Sequence, residues 1–386
     1  MSERANVETV WEQLAEEGYA DREKDAAVRA VLEAQQENDS PWYVQGLAGC
    51  GGWIAAIFFF SFAGCWISLL GTSLWETPVL LGTMFSLTGA GAIVGVIRLR
   101  RNTQSMVAKQ FALAVVIAAQ VLIGVGLYLI FDEGFDGEIP VVSICLAIIA
   151  IQLPVLYYYR DSLMRFLAII AIVTACNVLV WVLNIPGGLS VIVLATALGT
   201  AFLLTGLLPQ ALEVRYFDML YPISYALPVG LFGTLIHELV EAQYITNDAE
   251  LVTAPYMTAL LLLGLTLWVE SRVLQDNGVK LNSGIATLLF ATTAFLAVPA
   301  LVAPGILAGL LVALLGYHRR DLLLRGLAYV FFVGFVGHFY YALNTSLLTK
   351  SLTMIAVGVV LLVGRFGFRR MLPVDDAIEQ TERSVL

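Results

Sequence analysis

Residues 305–344 read GILAGLLVALLGYHRRDLLLRGLAYVFFVGFVGHFYYALN, two apolar runs joined by a short basic turn. Lipid offers the backbone no hydrogen bonds, so an apolar run that crosses a membrane must be a helix. A crossing needs about twenty mostly apolar residues. Because such runs recur along the chain, we predict an all-α, polytopic transmembrane helical bundle of about 12 spans. The predicted spans are 46–70, 77–97, 110–131, 139–158, 163–183, 187–207, 218–240, 253–269, 283–300, 302–317, 324–343 and 350–365.

The composition is also that of a membrane protein. Hydrophobic residues make up 59% of the chain and charged residues 13%, whereas a soluble domain is about half apolar and about a quarter charged. The net charge of −9 comes mostly from residues 1–40, which hold eleven acidic and four basic side chains. No basic cluster is accompanied by an aromatic surface, so we predict that the protein binds no nucleic acid.

Lys and Arg are distributed unevenly between the loops. Every second loop carries them, and the intervening loops hold only Lys350. This asymmetry is the positive-inside bias of membrane proteins. It predicts a multi-pass protein of the bacterial cytoplasmic (inner) membrane, surrounded by the lipid bilayer, with both termini in the cytoplasm. The basic residues of the predicted inner loops are Arg98, Arg100, Arg101, Lys109, Arg160, Arg165, Arg215, Arg272, Lys280, Arg319, Arg320 and Arg325.

The sequence predicts three consecutive parts. Residues 1–40 show helical periodicity and form a short cytoplasmic helical hairpin, either a solvated lead-in or a docking site for a partner. Residues 41–370 form the transmembrane domain, which an internal repeat would divide into halves 41–210 and 211–370. Residues 371–386 form a polar cytoplasmic tail.

One stretch of the sequence occurs twice. Tyr157–Ala168 reads YYYRDSLMRFLA, Tyr317–Ala328 reads YHRRDLLLRGLA, and each copy joins two predicted spans. An even number of spans separates the copies, so the halves of a 6+6 repeat would have the same orientation in the membrane. Aspartate at the start of a helix is stabilised by the helix dipole, and arginine suits the lipid headgroup level. The aligned positions are Arg160 with Arg320, Asp161 with Asp321, Arg165 with Arg325, and Asn184 with Asn344.

Few ionisable residues fall inside the predicted spans. Such residues are costly in lipid and are therefore candidates for function. The seventh span contains the run Gly233–Gln243, and the eleventh ends in the aromatic run that follows His338. Counting along each helix places His237 and His338 at similar depth, in the outer half of the bilayer. The candidate substrate or ion site comprises His237, Glu238, Glu241, His338, Tyr341 and Asn344.

Three interpretations of this set stay open. His237 and Glu241 are four residues apart and share a helix face, so with His338 they form a candidate metal site suited to zinc or iron. The set also suits a proton or cation relay, or a group of interfacial side chains without function. The run differs from the His-Glu-x-x-His of zinc proteases at its last residue, so we assign no catalytic residue. The glycine runs 46–52 and 89–95 lack the lysine of a phosphate loop, and we predict no cofactor.

The C-terminal third contains three distinctive motifs. They are Gly316–Ala328, the aromatic run Phe339–Asn344, and Ser346–Leu352 with its Leu-Leu-x-Lys-Ser pattern. On these motifs the chain resembles a family of bacterial polytopic membrane proteins classified as a domain of unknown function. The resemblance implies the membrane topology and, as a partner, a second and smaller membrane protein bearing a Gly-Asp-Tyr motif. It implies no activity, substrate or catalytic residue.

Three classes of function are consistent with the sequence. The leading hypothesis is a transporter or permease-like protein for a small solute or lipid, favoured by the repeat and by the small amount of chain outside the membrane. The second is an accessory or assembly subunit of a membrane protein complex, favoured by the implied partner. The third is an intramembrane metal-dependent enzyme, which requires the metal site. Enzymatic activity is the less expected outcome.

The predicted topology has a direct test. A single cysteine at position 160 or 320, in a cysteine-free background, is expected to react with a membrane-impermeant maleimide only after the cells are opened, because both turns face the cytoplasm. Labelling in intact cells is the measurement. Reaction of either position before the cells are opened would contradict the orientation.

Overall fold

The computed structural model describes a chain built from helices. The described residues are 77–100, 106–132, 137–158, 161–207, 216–244 and 254–342, with shorter stretches inside 50–61 and 348–362. The helices are α1 (Pro78–Arg100), α2 (Met106–Asp132), α3 (Ile139–Tyr158), α4 (Ser162–Val182), α5 (Gly188–Leu204), α6 (Phe217–Tyr244), α7 (Ala254–Asp276), α8 (Gly284–Ala300), α9 (Gly305–His318) and α10 (Leu322–Ala342).

Two predicted features lie beyond these residues. The hairpin at 1–40 and the tail at 371–386 are outside the described part of the chain, as are most of the predicted span 46–70 and part of the predicted span 350–365. The all-α class is confirmed for the described residues.

Among the residues that the structure describes, seven helices are long and apolar enough to cross a membrane. These are α1, α2, α3, α4, α6, α7 and α10, and each coincides with a predicted span. The other three, α5, α8 and α9, have 17, 17 and 14 residues, fewer than the roughly twenty of a straight crossing. They occupy the predicted spans 187–207, 283–300 and 302–317, so the count of twelve crossings stays a prediction.

Large apolar side chains cover the outer faces of these helices. Leu87, Val191 and Val330, for example, are 68%, 65% and 71% exposed. An apolar surface of this extent would drive association in water, whereas in a bilayer it lies against acyl chains. These surfaces indicate a membrane-embedded protein.

The chain divides into two compact units, residues 1–123 and 124–386. In the first unit, α1 approaches the middle of α2 so closely that a Cβ at Gly89 would lie 2.5 Å from the carbonyl oxygen of Ala119. Small residues at such positions let the backbones of membrane helices come into contact. The second unit contains α3 to α10 and all of the polar groups described below.

Helix α9 is the centre of the second unit. Its apolar side chains are almost all buried, and its glycines face α10. A Cβ at Gly305 would lie 2.3 Å from the ring of Phe335, and a Cβ at Gly309 would lie 3.0 Å from Phe332. The two helices therefore pack backbone to side chain, with no room for a larger residue. On its other sides α9 packs against α5, α6, α7 and α8.

Helices α8 and α9 form a short hairpin with a buried turn. They are about 25 Å and about 21 Å long, and Ala303 and Pro304 in the turn are buried. The turn lies level with Phe335, and α10 continues from there to Ala342, about 10 Å further. Irregular backbone is tolerated at membrane depth only where protein covers it. The start of α8 and the end of α9 lie on the same side of the bundle. The loops before and after the hairpin therefore share a side, however far its turn reaches across the membrane.

A tight turn joins α9 to α10. The N–H of Asp321 donates to the carbonyl of Gly316 at 2.9 Å, and the N–H of Arg320 donates to that of Tyr317 at 3.1 Å, the Schellman arrangement of a helix C-terminus. Arg320 has a φ of 55°, the left-handed conformation that glycine usually supplies at this position. The turn places Asp321 directly before α10.

Replacing Gly305 with alanine is expected to lower the melting temperature of the purified protein. The new methyl group would overlap the Phe335 ring, and overpacking of this kind costs about 1–3 kcal/mol. Gly326→Ala on α10 is the matched control, because a Cβ there meets open space and alanine favours a helix over glycine by about 1 kcal/mol. Thermal unfolding in detergent measures both. A similar loss in the two variants would contradict the close α9–α10 contact.

Candidate functional site

Glu238 is buried in the span formed by α6. Its side chain is 4% exposed, and its Oε1 accepts a hydrogen bond from the hydroxyl of Thr258 on α7 at 2.6 Å. The Thr258 hydroxyl also lies 2.7 Å from the hydroxyl of Ser190 at the start of α5. The Oε2 of Glu238 is buried without a hydrogen-bond partner. The carboxyl group therefore has an acceptor site that the protein leaves unfilled.

A second polar pair lies one helical turn away. The Nδ2 of Asn177 on α4 donates to the hydroxyl of Thr234 on α6 at 3.0 Å, and Thr234 precedes Glu238 by four residues, so the two share a face. The Oδ1 of Asn177 is buried without a partner. Four helices thus contribute to one buried group, which we call the polar seam. It consists of Asn177, Ser190, Thr234, Glu238 and Thr258.

A second carboxyl group lies towards the other end of α7. Glu270 is 1% exposed, its Oε1 accepts a hydrogen bond from the hydroxyl of Thr293 on α8, and its Oε2 is buried without a partner. Glu270 follows Thr258 by three steps of four residues, about 18 Å along the helix axis. Glu238 and Glu270 therefore lie within about two turns of opposite ends of the bundle.

The unfilled acceptors argue against a purely structural role. A buried hydrogen-bonding group without a partner costs about 1–3 kcal/mol, and an ionisable residue inside a membrane span is functional by default. Three such oxygens belong to Asn177 on α4, Glu238 on α6 and Glu270 on α7. All three accept hydrogen bonds or ligate cations, so the arrangement suits a proton, a metal cation or a donor group of a solute.

The two copies of the repeated stretch cap their helices in the same way. Asp161 accepts from the backbone N–H groups two and three residues later, at 3.0 and 3.3 Å, and Asp321 does so at 2.9 and 3.2 Å. Each aspartate thereby satisfies two of the free donors at the start of its helix. This likeness supports a repeated turn, and the 6+6 repeat of the whole chain stays a prediction. Arg160 and Asn344 lie outside the described residues, so their alignment with Arg320 and Asn184 stays a prediction.

The aligned arginines differ. Arg165 is buried and joins two elements, since its Nε donates to the carbonyl of Leu156 at 3.2 Å and its Nη1 to that of Asp218 at 2.7 Å. Arg325 instead bonds the carbonyl of Asp321 in its own turn, at 3.2 Å. Arg165 therefore links two other helices through its hydrogen bonds, whereas the hydrogen bond of Arg325 stays within its own turn.

Asp321 also contacts α6, where the hydroxyl of Tyr225 donates to its Oδ2. Burial alone would raise the pKa of Asp321, but the hydrogen bonds from Tyr225 and from the backbone at the start of α10 stabilise the charged form, and the pKa is lowered from its ordinary value. A pocket of about 220 Å³ opens beside this pair. Arg319 lines it and donates to the carbonyls of Leu203 and Leu204 at the end of α5, at 2.9 and 2.8 Å.

Comparison with known proteins identifies the family. Residues 41–371 match the family described as Domain of unknown function (DUF4401). The chain belongs to this family. The predicted resemblance to a family of unknown function is thereby confirmed, and the match includes the whole polar seam, Glu270 and Thr293. No curated protein and no solved structure matches the chain.

The predicted site residues of this DUF4401 protein differ in burial. Glu238 is the buried member, whereas His237, Glu241 and His338 are half-buried. Tyr341 is 79% exposed on the surface of α10, and Asn344 lies outside the described residues. Among the described residues, no three His, Cys, Asp or Glu side chains are close enough together to hold a metal ion. The hypothesis of a metal site at His237, Glu241 and His338 therefore has no geometric support.

Sequence reasoning missed Glu270, Ser190 and Thr258. The predicted eighth span ended at residue 269, which left Glu270 in a loop, whereas α7 continues to Asp276. A signal was present in the sequence, because Thr258, Thr266 and Glu270 repeat at multiples of four residues and so fall on one helix face. Ser190 and Thr258 are isolated hydroxyls whose contact is visible only in three dimensions.

Capping residues Asp161 and Asp321 make a matched pair for a stability test. Asp161→Ala should cost about 1 kcal/mol through the lost cap, and Asp321→Ala should cost more, because Tyr225 also loses its acceptor. Thermal unfolding of the purified variants at neutral pH is the measurement. Equal losses would show that the Tyr225 hydrogen bond contributes nothing.

Acidification provides a second test of Asp321. Because its folded pKa is lowered, its contribution to stability is complete above the unfolded aspartate pKa of about 4 and disappears as the pH falls through the folded value. The difference in melting temperature between the parent and Asp321→Asn should therefore shrink below about pH 4. A difference that stays constant down to pH 2 would contradict the lowered pKa.

Proposed function

We propose that the protein is a membrane carrier for a small solute, driven by a cation that Glu238 and Glu270 take up and release. The observation that carries the proposal is the pair of carboxyl groups buried within membrane-length helices, each with one oxygen held by a threonine and the other without a partner. A carboxyl group of this kind changes charge when a proton or cation arrives, and charge is the quantity that a membrane interior penalises most.

The position of the two groups supports transport. Glu238 lies near the end of α6 that is predicted to face outwards, and Glu270 lies near the end of α7 that is predicted to face the cytoplasm. A cation-driven carrier takes up its cation near one surface and releases it near the other. The two carboxyl groups provide one ionisable group near each predicted surface.

The short helices also favour a carrier. Discontinuous or short helices that end inside the protein form the binding sites of many secondary transporters. Helices α8 and α9 form such a pair here, and α8 contributes Thr293, the hydroxyl partner of Glu270. The hairpin that contains the buried turn therefore also provides the hydroxyl partner of one of the two carboxyl groups.

The two alternative functions have less structural support. The accessory-subunit hypothesis still depends on the smaller membrane protein that the family resemblance implies, and a metal-dependent enzyme lacks a gathered set of ligands among the described residues. The proposal includes the predicted inner-membrane location and cytoplasmic termini, which the labelling test addresses separately.

Charge movement tests the proposal without knowledge of the solute. In proteoliposomes on a solid-supported membrane, a jump in proton or sodium concentration should produce a transient current, and Glu238→Gln and Glu270→Gln should each reduce it at least about tenfold because the titrating or ligating charge is gone. Glu138→Gln is the matched control, since Glu138 is an exposed carboxylate before α3, and it should keep the current.

The outcomes separate clearly. Loss of current in both buried variants and retention in the control support the proposal. Absence of current in the folded parent with either cation, or equal currents in all variants, would refute a cation-driven carrier.

A further inference from the structure

We infer that the polar seam binds one sodium ion, with Glu238 as its charged ligand, an inference that rests on the proposed function and names its cation. Two buried oxygens without partners, Oε2 of Glu238 and Oδ1 of Asn177, point to a ligand that the protein itself does not supply. Both residues are more than nine-tenths buried, at 4% and 7% exposed. A hydrogen-bond donor or a cation satisfies both.

The ligand chemistry of the seam is that of a hard cation. Its functional atoms are a carboxylate, an amide oxygen and hydroxyls, and hard cations prefer oxygen ligands of this kind. Glu238, Thr258 and Ser190 already form a chain of oxygens at 2.6 and 2.7 Å. Asn177 reaches the same face of α6 through Thr234, one turn away.

The charge of the seam selects a monovalent ion. Glu238 is the single carboxylate among its five residues, so one monovalent cation neutralises the seam, and the half-buried Glu241 lies outside it, one turn further along α6. A divalent ion would leave a net positive charge inside the membrane, where charges are costly. The close spacing of the three oxygens favours a small ion, because potassium would require them to move further apart than sodium does.

The Thr258 hydroxyl has an alternative hydrogen bond that frees its oxygen. Thr258 now donates its proton to Glu238, but threonine in a helix also donates to the carbonyl four residues earlier. Thr196, Thr200 and Thr266 do so in this protein, at 2.8, 2.7 and 2.7 Å. Rotation of the Thr258 hydroxyl would therefore turn a lone pair towards the ion at little cost.

Glu270 has a different environment and should not share this ion. Its hydroxyl partner is Thr293 alone, and no chain of oxygens comparable to that of Ser190 and Thr258 surrounds it among the described residues. With one carboxyl and one hydroxyl, this site provides too few ligands for a dehydrated metal ion and suits a proton. The protein would then have a sodium site near one surface and a proton site near the other.

Thermal stability tests the sodium site directly. The purified protein in detergent is titrated with sodium chloride against potassium chloride and choline chloride at constant ionic strength. We expect sodium alone to raise the melting temperature, by about 4 °C at a concentration a hundredfold above the dissociation constant. Glu238→Gln and Thr258→Val should lose the shift, whereas Glu270→Gln and Thr293→Val, the matched pair at the other site, should retain it.

A second measurement covers variants that fail to fold. Binding of radioactive sodium by the parent should saturate at one ion per chain, and Ser190→Ala, a smaller change, should weaken it at least about tenfold by removing one oxygen ligand. Equal shifts with sodium and potassium, or sodium binding that survives in Glu238→Gln, would overturn the site.

The two proposals fail in different ways. If sodium neither binds nor stabilises the parent but a proton jump still gives a current that depends on Glu238, the sodium site is refuted and the cation-driven carrier stands. If neither cation gives a current in the folded parent, the carrier is refuted, and a sodium-dependent melting temperature would then describe a structural ion only.

Discussion

Within a bilayer, the helices have no water to satisfy their polar groups, and this constraint explains most of what the structure shows. Threonines such as Thr266 donate their hydroxyl protons to carbonyls of their own helix. Asp161 and Asp321 cap the N-termini of their helices, and the guanidinium of Arg165 donates to backbone carbonyls. Against this background of satisfied groups, the unpartnered oxygens of Asn177, Glu238 and Glu270 are exceptions, together with the Oγ of Ser86 and the Nε2 of His237. The cost of the first three, about 1–3 kcal/mol each, is the physical reason for assigning them a function.

The same constraint determines how much the sequence alone reveals. Apolar runs of span length predict α1 to α4, α6, α7 and α10, because a crossing helix needs little more than length and hydropathy. Glu238 could be singled out because a carboxylate in such a run is rare, and Asp161 and Asp321 because they precede helices directly. These features depend on residues that are neighbours in the sequence.

Features that depend on contacts between distant residues were not predictable in this way. Whether Glu238 meets Ser190 and Thr258 is decided by how α5 lies against α6 and α7, and no periodicity encodes that. The length of α9 fits a short crossing or a hairpin equally well, and the packing of Gly305 against Phe335 of α10 is visible only in three dimensions. Glu270 was missed for a simpler reason: hydropathy falls before the helix ends, so a span boundary drawn from apolar residues alone is too early.

Thr293 connects the position of the α8–α9 hairpin to the charge of Glu270. Thr293 holds one oxygen of Glu270, so any displacement of α8 would strip that oxygen of its partner and change the free energy of ionising the carboxyl group. Thermodynamic reciprocity then requires that loading or unloading Glu270 shifts the equilibrium position of the hairpin by the same free energy. The single hydroxyl of Thr293 would thereby couple the position of the short hairpin to the protonation of Glu270.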